Sequence, residues 1–182
     1  MASLERLKGK ISVPGFLSVE AKWGFDSKKA KERKGDPLSV DSHTGFLIIN
    51  KMYNLVLDIH WETQWRAIYR CECHKDVNQH WSLYQVDLNT TVITSRYTER
   101  CMTVEGAALH DGAVVRQDQY EGSLNQEWII EELEDYSYSI RARHSGKYLD
   151  MLENPTPDDH TAIVQWHWHG GDNQRWWLKP TY

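Results

Sequence analysis

The chain has 182 residues, 40% of them hydrophobic and 26% charged, which suits one folded domain with an appendage and excludes a disordered polymer. A formal net charge of −5 and a pI near 6.0 exclude a general nucleic-acid binder, which needs a basic footprint to displace phosphate counterions. Three cysteines, an odd number with no metal-type couples among them, do not make a disulfide framework and point to a reducing, cytoplasmic setting.

Residues 1–43 read as an N-terminal extension. Their charges are scattered and no continuous apolar run is present, so neither a signal peptide nor a spanning helix is expected. Residues 11–25 are apolar enough for an added strand, whereas DSKKAKERK at 26–34 is charged on all sides and reads as a solvated linker.

From residue 44 the chain turns strand-like. GFLIINK at 45–51 and NLVLDI at 54–59 are short β-branched runs, and NQHW follows at 78–81. The same order returns as TTVITSR at 90–96, RCMTVE at 100–105 and NQEW at 125–128. It returns again as YSYSIRAR at 136–143, KYLDML at 147–152 and NQRW at 173–176. Gly106, Gly112, Gly122, Gly146, Gly170 and Gly171 supply the turn signals between these runs. Trp81, Trp128 and Trp176 stand 47 and 48 residues apart, so residues 44–182 hold three repeats of about four strands each in an all-β domain. Large aromatics at fixed repeat positions are what a shared core requires.

The Asn-Gln-x-Trp units resemble the QxW repeats of ricin B-type lectins, and the likeness spans about three quarters of the chain. It is densest in SGKYLDMLENPTPDDHTAIVQWHWHGGDNQRW at 145–176, which is also similar to plant Euonymus-type lectins and to cytosolic fungal trefoil lectins. The resemblance implies a β-trefoil fold and carbohydrate binding without catalysis or cofactor. It also implies that the Trp of each QxW fills the core while the Gln orients a neighbouring carboxylate. Strand alternation adds the expectation that Trp166 points inward.

Mapped onto the third repeat, the family's sugar-binding set is Asp150, an aromatic at His167 or Trp168, and Asn173, with Gln174 bracing Asp150 and Gln165 and His169 flanking the groove. An ionised carboxylate accepts strong hydrogen bonds from adjacent sugar hydroxyls, while a flat ring covers the apolar face of a pyranose. The first repeat keeps Asp58, Asn78 and Gln79 but places Cys71 or Glu72 where the aromatic belongs, which makes it a weaker second site. Trp61 and Trp65 could stack a ligand near Asp58, although packing is the commoner fate of such residues. The second repeat has Thr103 in place of the Asp and Gln117 or Asp118 in place of the aromatic, and is expected to have lost sugar binding.

The expected partners are glycans or glycoconjugates bearing galactose-like or other neutral sugars, with avidity gained through a homodimer or a second module. The resemblance further implies a defence or toxin role. The competing function is a protein-binding trefoil, such as a protease inhibitor, with decayed sugar sites. His167 and His169 share a strand face but lack a third ligand, so no metal is assigned, and Cys101 is expected to be buried rather than nucleophilic.

Overall fold

The computed structural model describes residues 44–60, 66–153 and 163–181. The expected extension at 1–43, and with it the added strand and the basic segment, lies outside the described residues, as do Trp61 and Trp65.

Among the described residues twelve short strands follow in chain order, four to a repeat. The first repeat contributes β1 (Gly45–Asn50), β2 (Val56–Asp58), β3 (Tyr69–Cys71) and β4 (Trp81–Asp87). The second contributes β5 (Thr90–Ser95), β6 (Cys101–Val104), β7 (Ala113–Asp118) and β8 (Trp128–Glu132). The third contributes β9 (Tyr138–Ala142), β10 (Tyr148–Met151), β11 (Ile163–Trp166) and β12 (Trp176–Thr181). Each run expected as a strand before its Asn-Gln-x-Trp is a strand.

Pairing among the first and fourth strands of the repeats closes a six-stranded barrel. Within a repeat these strands meet at one point, Phe46 opposite Trp81, Thr91 opposite Trp128 and Tyr138 opposite Trp176. Between repeats they run as antiparallel ladders, β4 with β5, β8 with β9 and β12 with β1. Closure satisfies backbone groups that an open sheet edge would expose. The second and third strands of each repeat form a hairpin, β2 with β3, β6 with β7 and β10 with β11. One barrel and three hairpins, related by a threefold repeat, make a β-trefoil.

The core sits on the barrel axis. Trp81, Trp128 and Trp176 are fully buried, and each indole N–H donates to a carbonyl of its own repeat: Leu57 at 3.1 Å, Met102 at 3.0 Å and Leu149 at 3.1 Å. Burying an indole with its polar edge satisfied gains the large apolar area without the desolvation cost of an orphaned donor. Trp166 is the exception to the expected packing. It is half-buried and outside the core cluster, because Gln165 takes the inward phase of β11 and turns Trp166 to the other face, against Gly112.

Candidate functional site

The Gln of each QxW ties a loop to the end of its hairpin in the same way three times. Its amide oxygen accepts a backbone N–H five residues upstream: His74 at 3.0 Å for Gln79, Glu121 at 2.8 Å for Gln126 and His169 at 2.9 Å for Gln174. Its amide nitrogen donates to a carbonyl seven residues upstream, on Glu72, Gln119 and His167. The preceding Asn donates to the carbonyl following the Asp or Thr position, on Ile59, Val104 and Met151. The repeats therefore share one polar scaffold, and their differences lie in what is mounted on it.

In the third repeat β10 carries Asp150, whose carboxylate is 2% exposed. Its Oδ1 accepts the Asn173 amide at 2.9 Å, and His169 Nε2 approaches its Oδ2 at 3.3 Å. Burial pushes the Asp150 carboxyl above its ordinary value of 3.8, opposed by hydrogen bonds from Gln174, His169 and Asn173. Beside this group Trp168 remains 37% exposed, its ring tilted against Tyr148 at 4.7 Å between centroids, with the Arg175 guanidinium 5.9 Å above it. Tyr148 lies two residues before Asp150 on the same strand face, so the indole stands over the carboxylate's side of the hairpin.

Asp150, His169, Asn173 and Gln174 thus come together, and Trp168 reaches the same hairpin through Tyr148. His167 sits at the rim, held by Asp111: its backbone N–H donates to Asp111 Oδ1 at 2.9 Å, and its Nδ1 lies 2.7 Å from Oδ2. Hydrogen bonds from Lys147 and His167 hold the Asp111 carboxyl down at about 2. Gln165 does not join the group. It is fully buried, accepts from Ser145 Oγ at 2.7 Å and donates to the Ala108 and His110 carbonyls at 2.8 and 3.1 Å. Gln117 repeats this role in the second repeat, accepting from Thr98 Oγ1. An amide whose donors and acceptor are all used inside the protein has nothing left for a ligand.

The first repeat builds the same hub. Asp58, 4% exposed, accepts from Asn78 at 3.0 Å and Gln79 at 2.8 Å, and His74 Nε2 lies 3.0 Å from its Oδ2. The register corrects the expected aromatic position: Cys73 stands where Trp168 stands in the third repeat, and Cys71 where Trp166 stands, so neither position carries a ring. Cys71 is opposite Val56 in the β2–β3 ladder, which puts it on the face that bears Asp58. Burial and the Asp58 charge raise the Cys71 thiol above its ordinary value.

His74 and Asp111 were not picked out in the sequence. The signal for His74 was its register: it falls five residues before Gln79, as His169 does before Gln174. Asp111 carries no such signal, because it reaches His167 across 56 residues of chain.

The second repeat holds a cleft of about 140 Å³ lined by Thr103, Asn125 and Gln126. Thr103 turns its hydroxyl back onto the Cys101 carbonyl at 3.0 Å, and four of the charges at the rim pair with one another, Arg66 with Asp118 at 2.5 Å and Arg116 with Glu105 at 3.0 Å. This lobe has space, but Thr103 and not a carboxylate holds the position of Asp58 and Asp150. Cys101 is fully buried, and burial pushes its thiol up to about 11, which removes it as a nucleophile at neutral pH. All three cysteines are free, and no helix among the described residues is long and apolar enough to cross a membrane.

Among solved structures the chain is similar to a designed threefold-symmetric protein, ThreeFoil, with 31% identity and a TM-score of 0.68 over 74% of this chain and 97% of that one. It is similar to an exo-β-1,3-galactanase from Clostridium thermocellum, with 29% identity and a TM-score of 0.70 over 76% of this chain and 30% of the enzyme. A Polyporus squamosus lectin bound to Neu5Acα2-6Galβ1-4GlcNAc aligns with a TM-score of 0.66 and 21% identity over 77% of this chain and 50% of the lectin, which shows the shared fold. The chain thus spans under a third of the galactanase and half of the Polyporus lectin. No curated protein matches the sequence. The profile described as ricin-type beta-trefoil lectin domain-like matches residues 22–118 and 124–182. With three QxW repeats in register on a closed six-stranded barrel, the chain belongs to the ricin-type β-trefoil lectin-like family.

Proposed function

We propose that the protein is a lectin that binds galactose-like or other neutral sugars of glycans without catalysis, mainly through its third repeat. The observation that carries this reading is the exposed Trp168 indole packed on Tyr148, two residues before the buried Asp150 that meets Asn173 and His169. The carboxylate and amide face polar hydroxyls while the indole covers a C–H face, which is the division of labour a pyranose needs. Asp150 would accept from two sugar hydroxyls, and His169 and Asn173 would complete the polar rim, with Gln174 fixing the loop that carries His169. The galactanase and the sialyl-galactoside-bound lectin among similar structures support a galactose-like ligand. One strong site per chain gives weak monovalent binding, so avidity would come from pairing with a second copy or module. The free thiols support a reducing compartment such as the cytoplasm.

The test is a glycan array probed with wild type and with Asp150→Ala. Wild type is expected to bind a set of galactose-terminated glycans and the variant to lose them. A wild type that binds no glycan, or a variant that binds as well, would overturn the reading in favour of a protein-binding trefoil.

A further inference from the structure

The first repeat differs from the third at two positions that change what its hub can hold. Where the third repeat has Trp166, the first has Cys71, and where the third has Gly171, five residues further along the loop, the first has Asp76. The thiol comes to the same side as the hub: the donor atoms of Asp58, Cys71 and His74 all lie within 4.8 Å of one another. The second change acts on the imidazole. Asp76 Oδ2 lies 3.0 Å from His74 Nδ1, on the far side of the ring from Nε2, which is 3.0 Å from Asp58 Oδ2.

We infer that Asp58, Cys71 and His74 form a binding site for a zinc-class divalent cation, which a carboxylate oxygen, a thiolate and the His74 Nε2 would ligate. Three donors of mixed type suit a borderline-soft ion such as Zn²⁺, whereas Ca²⁺ and Mg²⁺ call for oxygen ligands alone. Bond lengths of about 2.0–2.3 Å to zinc place tetrahedral ligands about 3.3–3.8 Å apart, within reach of the present spacing by small side-chain rotations. Ligating histidines usually donate their second ring N–H to a carboxylate, and Asp76 stands where that acceptor is needed. The Asp76 backbone N–H also faces Nδ1, at 3.3 Å, so it is on ion binding that the ring would move its proton to Nδ1, donate it to the Asp76 carboxylate and turn the Nε2 lone pair to the metal. In the third repeat the corresponding Nδ1 likewise faces a backbone N–H, that of Gly171 at 3.2 Å, but the glycine offers no carboxylate to that nitrogen. The carboxylate is fixed from behind by Asn78 and Gln79, while Cys71 and half-exposed His74 face solvent, giving an ion both a rigid anchor and an entry path. Two lobes of one scaffold thereby diverge, the third toward a sugar and the first toward a metal that occupies the carboxylate a sugar would need.

The experiment uses the full chain, reduced and stripped of metal with a chelator, titrated with Zn²⁺ against a chromophoric competitor and with Co²⁺ in an absorption cuvette. One equivalent is expected to bind, with a near-ultraviolet thiolate-to-cobalt charge-transfer band. Cys71→Ser should abolish the band and His74→Gln the stoichiometric binding, Cys73→Ser should keep both, and Asp76→Asn should weaken affinity by about 10–100-fold. Cys71 and His74 are at the surface, so these variants are expected to fold, and far-ultraviolet circular dichroism checks that they do. Failure of the wild type to bind one equivalent, a band that survives Cys71→Ser, or a band that depends on Cys73 instead, would overturn the assignment. Because the readouts are Zn²⁺ and Co²⁺ themselves, the result is independent of whether any glycan binds.

Discussion

Asp150 is a carboxylate kept in a buried place, and its chemistry follows from that. Burial raises its proton affinity, so it protonates at a higher pH than an ordinary aspartate at 3.8. The native state then holds that proton more tightly than the unfolded chain, so ionisation costs stability as pH rises and acid relieves the cost. Binding runs the other way, because only the ionised form accepts from two sugar hydroxyls. Glycan affinity measured by titration calorimetry is therefore expected to fall on acidification, with the loss setting in above pH 3.8, while the fold persists. Trp168 makes a second residue-scale expectation. Its replacement by Ala removes the stacking face and should weaken binding by about 1–2 kcal/mol, roughly tenfold, with a smaller loss of thermal stability from the contacts to Tyr148 and Arg175. At this scale the grouping of Asp150, Asn173 and Gln174 was legible in the repeat register, and the fold brings their side chains together. Gln165 misled because an amide on the right strand can serve either a ligand or the backbone, and only the positions of Ser145, Ala108 and His110 decide which.

The hairpins of the three repeats begin with the same turn. The backbone N–H of Asn54, Glu99 and Gly146 donates at 2.9 Å to the carbonyl of Asn50, Ser95 and Ala142, and all three donors have positive φ, of 55°, 58° and 71°. Glycine meets this at no steric cost and Asn tolerates it, but Glu99 is held in a conformation that its Cβ disfavours. Glu99→Gly is expected to raise the urea midpoint, with a gain of about 0.5–1 kcal/mol once the larger backbone entropy of the unfolded glycine is deducted. A lowered midpoint would mean that the strain is offset locally. This turn was legible from the sequence at Gly146 and invisible at Glu99, because the third repeat announces its geometry with a glycine and the second imposes it through neighbouring pairings. The strands themselves were legible because β-branched runs precede a fixed Asn-Gln-x-Trp in each repeat. Trp166 was not, since alternation fixes only the relative phase of a short strand, and Gln165 set the phase through its own hydrogen bonds.

At the scale of the whole molecule, the threefold frame makes a stability claim. Trp81, Trp128 and Trp176 are equally buried and donate equivalent hydrogen bonds to Leu57, Met102 and Leu149, so each Trp→Phe loses a comparable volume and one indole bond. Each is expected to cost about 2–4 kcal/mol, and circular dichroism melts should show a single transition because every barrel strand is shared with a neighbouring repeat. The seam between repeats responds to acid. Asp135, in the turn between β8 and β9, meets Lys51 of the first repeat at 2.8 Å and Arg175 of the third at 3.2 Å, and Lys51 also reaches Asp172 at 2.9 Å. Burial tends to raise the Asp135 carboxyl, yet hydrogen bonds from Lys51 and Ser137 hold it well below the usual carboxylate range. A carboxylate depressed in the native state stabilises the fold above its unfolded pKa, near 3.9, and that contribution disappears as pH falls through the native value. Asp135→Asn should therefore cost about 1 kcal/mol at neutral pH, a figure reduced for solvent screening of a partly exposed pair. The gap between wild type and variant in urea denaturation should narrow steadily below about pH 4. A gap that stays constant across that range would mean that Asp135 acts through packing or neutral hydrogen bonds, and that the ends of the barrel are joined without its charge.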